Sequence, residues 1–600
     1  MPAFCEINEK GTRIDVYFKY DPVLVPEVKK IPGSKFVPRD KGGPFWTIPL
    51  DMACAEKLRE IWGNDLQLGD AVRAWGKQAR QQQDNLGKLA MADDATLVNL
   101  PRVLPALNEF LRPYQKADVA FMATTSVGNF NQPGLGKTVE TIGAIFEGGL
   151  DDGPQLVVAP LTSLETVWEY EFRRWTDFPV VLLSGAHKLT SREEQALINA
   201  ALGGGRFVLV TTAAQVRRGL PGDIDRKVKW KTFTVDEFHK TGATNISGDP
   251  NQGTQFGRKI RDIQRERTFF LSGTPMGGKP IKLWGVLNHM KPDVFTSKWR
   301  WAELWLEIDE VDGGSSGMHK TIGGLLRNKE DEFYPAHAQY FVRRLKKEVL
   351  PQLPDKQYVD VWCDMLPAQA KQYAAMERDA ELRIENERLQ ARGILAEYTR
   401  LKQFANAECV IQRGSKDQAF LIPKASGKFE YLLDRLDERG IRPSKSRDGL
   451  VPEGDEVAIV ASQSEQYVSW LTDQLNAKGI KAEKITGSVD ARERAELVRR
   501  FQSADPSSPR VIVMTTTAGG VAITVDRADS VHLMDETWNP DDQEQLEDRV
   551  HRISRIHQVT CYYYRSKGTI EELINNTAHG KRMTNEQLLD IQRQVHKRSQ

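Results

Sequence analysis

Cysteine is scarce: Cys5, Cys54, Cys363, Cys409 and Cys561 are spread through 600 positions with no C-x-x-C pair among them. That spacing argues against a disulfide framework and a structural zinc, and it predicts reduced, mostly buried thiols. Long apolar runs are missing too. Nothing approaches the roughly 18 uninterrupted apolar residues of a membrane-spanning helix, and Glu6, Glu9, Lys10 and Arg13 leave no apolar signal core at the N-terminus. The expectation is no membrane partner, and a cytoplasmic location in a bacterium or phage-infected host, or a nuclear one in a eukaryote. Neither charge is in excess: 83 Lys and Arg against 82 Asp and Glu give a formal net charge of +1. Nucleic-acid binding cannot be inferred from bulk charge, so it has to come from locally arranged donors.

What is present is ordinary for a globular chain, with 40% hydrophobic and 28% charged residues. The length exceeds what one core organises, and at about 100 to 200 residues per domain it implies three to five units. The first 80 residues alternate (Ile14, Val16, Phe18, then Phe36, Trp46, Ile48) before a helical run from Met52 to Trp62, which reads as a small α+β unit. The polar Gln81-Gln82-Gln83-Asp84-Asn85 stretch suggests a linker over 81–105.

Short apolar runs then recur, each followed by a turn and a helical pattern: Gln155 to Ala159, Phe207 to Thr211, Thr232 to Val235 and Thr268 to Leu271, and later Val457 to Val460, Val511 to Met514 and Val531 to Met534. Strands alternating with helices predict parallel sheets covered on both faces, so the fold class is α/β with two lobes, 106–350 and 426–575. Ser297 to Tyr340 and Pro367 to Leu421 read as mainly helical insertions, the second within a linker and protrusion at 351–425. The tail over 576–600 reads as basic and helical from Gly580.

The most specific local signal is Gly134-Leu135-Gly136-Lys137-Thr138 ahead of a helix-compatible run. Glycines let backbone N–H groups approach phosphate oxygens, Lys137 neutralises β and γ phosphates, and the Thr138 hydroxyl suits Mg²⁺. The first glycine of G-x-x-x-x-G-K-T is Asn131 here. About 100 residues downstream, the Thr232 to Val235 run ends in Asp236-Glu237-Phe238-His239. Acids at a strand's C-terminal edge beside such a loop suit two roles: Asp236 as Mg²⁺ ligand, and Glu237 as the group that orients and deprotonates the attacking water. In Gln545-Leu546-Glu547-Asp548-Arg549-Val550-His551-Arg552, arginines at i and i+3 share a helix face and suit the γ-phosphate of a nucleotide held by the other lobe. Gln545 joins this catalytic set. The alternative for this helix, were the phosphate loop absent, is a solvated surface with ion pairs.

The ordered set of motifs resembles the Swi/Snf-type branch of superfamily-two helicases. It comprises Leu111-Arg112-Pro113-Tyr114-Gln115, Val157 to Leu164 followed by Trp168, Ser272-Gly273-Thr274-Pro275, Phe341 to Pro351 containing Arg343-Arg344-Leu345-Lys346-Lys347, Thr486-Gly487-Ser488, Thr515 to Thr524, and Trp538-Asn539-Pro540. The resemblance implies two RecA-like lobes, a DNA-dependent ATPase using ATP and Mg²⁺, and translocation on double-stranded DNA. It assigns adenine recognition to Gln115, nucleotide contacts to Gly134, Leu135, Gly136, Lys137 and Thr138, and phosphate-backbone contacts to Pro160, Thr162, Thr211, Thr212, Gly487, Thr515 and Thr516. Two departures stand out: Asn131-Gln132 where the family has an acidic pair, and Ser554-Arg555 where it has Gly-Gln.

In the first unit, Val28 to Phe36 and Phe45 to Leu50 resemble the HARP module of annealing helicases, which implies binding to forked or branched DNA. The alternative is a plain β domain whose Phe36, Trp46 and Trp62 are core; Trp299, Trp301 and Trp305 read as packing residues rather than stacking platforms. Three readings follow: a motor that rewinds, reverses or branch-migrates forks, a motor that displaces proteins in chromatin-remodeller fashion, or a non-enzymatic DNA tether. A monomeric bacterial or phage protein is the expectation, with RNA a lesser alternative to DNA.

Overall fold

The structure, a computed structural model, describes residues 2–92, 96–244, 253–276, 279–312, 318–386, 391–413, 419–443, 456–489, 491–503, 508–519, 525–537, 541–552, 555 and 557–575. Two compact units share the chain: one runs to Gln132 and from Gly136 to Leu345, and the other takes Pro133–Leu135 and the chain from Lys346. The Trp538-Asn539-Pro540 segment and the tail from Gly580 lie outside the described residues.

The first unit opens with five strands, β1 (Ala3–Ile7), β2 (Arg13–Tyr17), β3 (Lys35–Val37), β4 (Phe45–Pro49) and β5 (Leu66–Leu68), in the order β3-β4-β2-β1-β5. Period-two alternation turns Cys5, Ile14, Val16, Trp46 and Ile48 inward. Against them the helix Met52–Trp62 buries Cys54, Leu58 and Trp62, spaced four apart so that they fall on one face. Of the predicted aromatic core, Trp46 and Trp62 are buried, whereas Phe36 is 52% exposed.

Residues 81–90 of the linker expected over 81–105 are instead helical. Asp70–Ala90 is one helix of 21 residues. Its Gln, Lys and Arg residues are good helix formers on an exposed face, while Leu86 and Ala90 join Leu100, Val103 and Leu107 in a core cluster. The polar composition marked a solvated helix face rather than a flexible joint.

Beyond it lie β6 (Val127–Asn129), β7 (Gln155–Val158), β8 (Val180–Leu183), β9 (Val208–Thr211), β10 (Trp230–Asp236) and β11 (Arg265–Leu271). The insertion expected to be mainly helical contains a hairpin, β12 (Leu306–Asp312) and β13 (Met318–Leu325), between helices Lys298–Trp305 and Glu330–His337. The β-branched Ile308, Val311, Thr321 and Ile322 favour strands, which outweighs the helical character of the flanks. Trp301 and Trp305 pack on Phe333, and Trp299 is half exposed. With β14 (Phe341–Val342) the sheet is complete, all parallel, in the order β14-β6-β11-β10-β7-β9-β8.

The small N-terminal sheet is not detached from this lobe. Its buried side chains belong to the same core cluster as Phe295, Trp301, Phe333 and Tyr340. At Gly33, which has φ +68°, a Cβ would lie 2.1 Å from the Asp293 carbonyl, so only glycine permits that approach. Arg300 Nη1 donates to the Lys29 carbonyl at 3.2 Å.

The second unit carries β15 (Gln357–Cys363), a helical pair Pro367–Asn386 and Ala391–Asn406, and a hairpin of β16 (Glu408–Arg413) and β17 (Ala419–Ala425). The protrusion is thus helical only to Asn406. Then come β18 (Ala458–Ser462), β19 (Ala482–Ile485), β20 (Val511–Thr515), β21 (Ser530–Leu533) and β22 (Thr560–Ser566), forming a parallel sheet ordered β15-β22-β21-β18-β20-β19. All five cysteines are free and buried, as expected.

Asp51 joins two parts of the first unit. One carboxylate oxygen accepts from Ala53 N at 3.0 Å and caps the helix Met52–Trp62, and the other accepts from the Tyr340 hydroxyl at 2.9 Å. Losing the cap costs about 1 kcal/mol and leaving that buried hydroxyl unpaired about 1–3 kcal/mol. Asp51→Ala is expected to lower the urea midpoint of the first unit's transition by an amount equivalent to about 2–4 kcal/mol, whereas Asp51→Asn, which keeps an acceptor oxygen for the cap, costs less than half of that.

Candidate nucleotide and nucleic-acid sites

In a parallel sheet every strand ends on the same edge, and on that edge of the first unit the sequence motifs converge. The phosphate loop follows β6, the acidic pair ends β10, Ser272 follows β11, Pro160 follows β7, and Thr212 follows β9. Gly134 and Gly136 have φ +85° and +93°, a conformation that favours glycine. A Cβ on Gly136 would meet Gln115 Nε2 at 2.2 Å, so the Gln115 amide lies directly against the loop. Gln115 Oε1 accepts from Arg112 N at 2.9 Å. Lys137 and Thr138 open the helix Lys137–Glu147, and Lys137 Nζ donates to the Asn131 carbonyl at 2.8 Å.

Asn131, the departure from the glycine pattern, is a fully buried hub. Its Nδ2 donates to Asp118 Oδ2 (2.8 Å) and Glu140 Oε2 (3.1 Å), and its Oδ1 accepts from Arg344 N (2.7 Å). Arg344 closes the network: Nε and Nη2 reach Asp118 Oδ1 at 2.9 and 2.7 Å, and Nη1 and Nη2 donate to the Ala92 and Leu89 carbonyls. Burial, reinforced by the Asp118 charge, pushes Glu140 up to about 8, against the donated bonds of Asn129 and Asn131. A glycine at 131 offers none of these donors. The sequence gives no sign of the network because its members come from four separate segments.

The acidic pair is equally built in. Asp236 Oδ2 accepts from Trp168 Nε1 at 3.0 Å, and Oδ1 accepts from Glu237 N at 3.0 Å. Burial first, then the Glu237 charge, raise Asp236 to about 6, with Trp168 and Lys137 opposing. Glu237 has φ +46°, a left-handed conformation that costs a glutamate about 1–3 kcal/mol and that clusters at functional sites. Beyond it, His239 Nδ1 lies 3.4 Å from Glu237 Oε2 and 2.8 Å from Ser272 Oγ, which also accepts from Thr274 N. Ser272-Gly273-Thr274 is thereby coupled to the acids through one imidazole. Trp168 lies in a stretch of π-helix, Leu164–Glu169. Its role as a donor to Asp236 was invisible in the sequence, where the two lie 68 positions apart.

In the second unit the helix Asp541–Val550 carries buried Gln545 and half-buried Arg549. Arg552 lies just beyond the helix end rather than on its face; its N–H turns back to the Val550 carbonyl. Burial, and then the charge of Arg549, lower it to about 10, so the two guanidiniums do lie near one another. Arg555, where the family has another residue, bonds Asp529 Oδ1 at 3.1 Å and serves packing.

The seven residues assigned to phosphate contacts differ in what they offer. Thr212 caps the helix Ala213–Arg218 by accepting from Gln215 N. Thr162 is half-buried, and its hydroxyl has no hydrogen-bond partner within the protein. Pro160 lies at a turn that the Ser163 N–H closes. Thr211 is fully buried and its hydroxyl donates to the Leu183 carbonyl, so its side chain is committed to the sheet and only its backbone remains. In the second unit Thr515 ends β20, Thr516 starts the short helix Thr516–Gly519, and Gly487 has open space beside it.

Residues 114–410 match the SNF2-related domain and residues 447–554 the helicase conserved C-terminal domain. Among relatives, the chromatin structure-remodeling complex subunit snf21 of Schizosaccharomyces pombe is 28% identical over 485 residues, covering 77% of this chain and 38% of that protein. The ATP-dependent DNA helicase DDM1 of Arabidopsis thaliana is 25% identical over 547 residues, covering 86% of this chain and 67% of its own length. The Sulfolobus solfataricus SWI2/SNF2 ATPase core in complex with dsDNA is similar at 21% identity with a TM-score of 0.35, over 84% of this chain and 98% of that one. The chain spans about two fifths of the length of snf21 and of the Arabidopsis protein CHR23. With both domains present in order, and with the phosphate loop and acidic pair on one sheet edge, the chain belongs to the Snf-type family of superfamily-two helicases.

Proposed function

We propose that this chain is an ATP-driven translocase on double-stranded DNA that remodels forked or branched substrates by annealing, fork reversal or branch migration. The observation that carries the reading is the single sheet edge holding the Lys137 loop and the Asp236–Glu237 pair, two strands apart. The HARP-like module, built into the core of the same unit, supports the forked substrate. The relatives named as chromatin-remodelling subunits support a second reading equally well, a motor that displaces or slides proteins on DNA.

In this proposal Gly134, Leu135 and Gly136 present backbone N–H groups to the triphosphate, Lys137 neutralises it, and Gln115 reads the adenine. The Thr138 hydroxyl and the Asp236 carboxylate are hard oxygen donors that suit Mg²⁺, which when bound offsets the charge on the phosphate oxygens. Glu237 orients the attacking water and takes its proton. Gln545, Arg549 and Arg552 are the groups assigned to the γ-phosphate charge, which planar guanidinium forks suit. Pro160, Thr162, Thr212, Gly487, Thr515 and Thr516, with the backbone of Thr211, bind DNA phosphates without reading bases. The acting form is a monomer, nuclear in a eukaryote and cytoplasmic in a bacterium or a phage-infected cell.

The deciding measurement is steady-state ATP hydrolysis at fixed salt without nucleic acid and with linear duplex, single strand, fork and four-way junction. Stimulation by fork or junction well above that by linear duplex is expected; equal stimulation by every duplex selects the protein-displacing motor. Lys137→Ala is expected to lower kcat roughly 10²-fold or more on every DNA, and retention of full DNA-dependent activity would leave only a tether. Trp168→Phe, which removes a charge-assisted bond of about 1.5–3 kcal/mol to Asp236, is expected to lower kcat about tenfold or more while DNA affinity in an anisotropy titration stays unchanged.

A further inference from the structure

Just before Arg549 come two acids, Glu547 and Asp548, whose side chains are 1% and 12% exposed. Each is gripped by a lysine from outside the helix. Lys346 Nζ reaches Asp548 Oδ1 at 2.9 Å and donates to the His551 carbonyl at 2.7 Å. Lys356 Nζ reaches Glu547 Oε2 at 2.9 Å and Asp548 Oδ1 at 3.2 Å. The hydroxyls of Tyr358 and Tyr563 also donate to Glu547, and His551 Nε2 meets the Pro354 carbonyl at 2.7 Å. Neither lysine is more than 15% exposed at its side chain.

Two buried lysines are a costly way to hold a helix, since apolar residues of similar volume pack there with equal or greater stability. What an ion pair adds is direction. Consecutive residues on an α-helix point about 100° apart, so fixing both Glu547 and Asp548 sets the rotation of the helix about its axis and with it the heading of Arg549. The bond to the His551 carbonyl fixes the backbone immediately before Arg552. The six residues from Glu547 to Arg552 are therefore pinned at both acids and at one carbonyl, all next to the arginines.

We propose that Lys346 and Lys356 are positioning residues that hold Arg549 and Arg552 in their working orientation through Asp548 and Glu547. The inference rests on the reading of those arginines as γ-phosphate groups. Lys346 contributes an electrostatic handle on it. Burial foremost, then the charges of Lys356 and Arg552, bring the Lys346 ammonium down to about 8 against the opposing attraction of Asp548, and His551 is a further titratable neighbour. The ammonium is charged below that pH and loses its charge as pH rises through it, so the grip on Asp548 weakens on the alkaline side.

The test uses the full chain with saturating linear duplex and compares Lys346→Met, Lys346→Arg, Asp548→Asn and the double Lys346→Met/Asp548→Asn with the wild type. Expected, at a temperature well below the lowered melting point of Lys346→Met, are a fall in its kcat of at least tenfold with KM for ATP and duplex affinity essentially unchanged, and recovery of most of kcat in Lys346→Arg. The double variant is expected to be no slower than the worse single one, because both changes release the same contact. Wild-type kcat is expected to decline as pH passes upward through about 8, and Lys346→Arg to stay flat there. Wild-type kcat in Lys346→Met, or a loss that rises and falls with melting temperature alone, overturns the inference. Should Lys346→Met not fold, Asp548→Asn and the paired pH profiles decide it. Arg549→Ala and Arg552→Ala serve as controls: unchanged kcat in both sinks the reading of the arginines themselves, whereas loss in both beside a normal Lys346→Met sinks only the positioning role.

Discussion

The Arg344–Asp118 ion pair is withdrawn from water on both sides, and the nucleotide end of the first unit is organised around it. Two charges in a low-dielectric interior are tolerable only if their remaining donors and acceptors are filled, and here the filling is what ties distant segments together. Asp118 takes the Asn131 amide, Arg344 takes the last carbonyls of the long helix Asp70–Ala90 and its extension, and the Arg344 backbone takes the Asn131 carbonyl group of the side chain. Asn131 in turn holds Lys137 and Glu140. Remove one member and a buried charge is left without its counterpart. The phosphate loop is therefore shaped as much by this internal network as by its own glycines.

Strain and burial are concentrated at the acidic pair in the same way. Glu237 occupies a backbone region that its side chain disfavours, and the Asp236 carboxylate is buried with the Trp168 indole and the Glu237 N–H as donors. Neither feature adds stability. Both fix the pair in place, and His239 lies between Glu237 and Ser272, which follows the next strand.

Most of the architecture was legible because it is local. Parallel strands buried on both faces leave apolar runs such as Gln155 to Ala159, glycines before a helix leave a readable string, and acids at a strand end leave another. What stayed hidden was of two kinds. Composition misled where a solvated helix looks like a linker, at Gln81 to Asn85, and where β-branched residues sat inside a helical-looking insertion, at Ile308 and Thr321. Partnership across the chain could not be seen at all: Asn131 with Arg344, Trp168 with Asp236 and Lys346 with Asp548 lie 213, 68 and 202 positions apart. Periodicity carries no information about such pairs. The helix also ends at Val550, two residues before the motif's last arginine, Arg552.

The shared core between the small N-terminal sheet and the lobe that follows it has a mechanical meaning. A module joined by a flexible tether searches space and contributes local concentration; one fused through Trp301, Phe333, Tyr340 and the close approach at Gly33 moves with its lobe as a single solid part. Whatever this sheet touches is carried at a fixed offset from β10, whose Phe233 and Val235 share that core, so it acts as a ruler rather than a lure. Cutting it away would leave an apolar wound on the lobe.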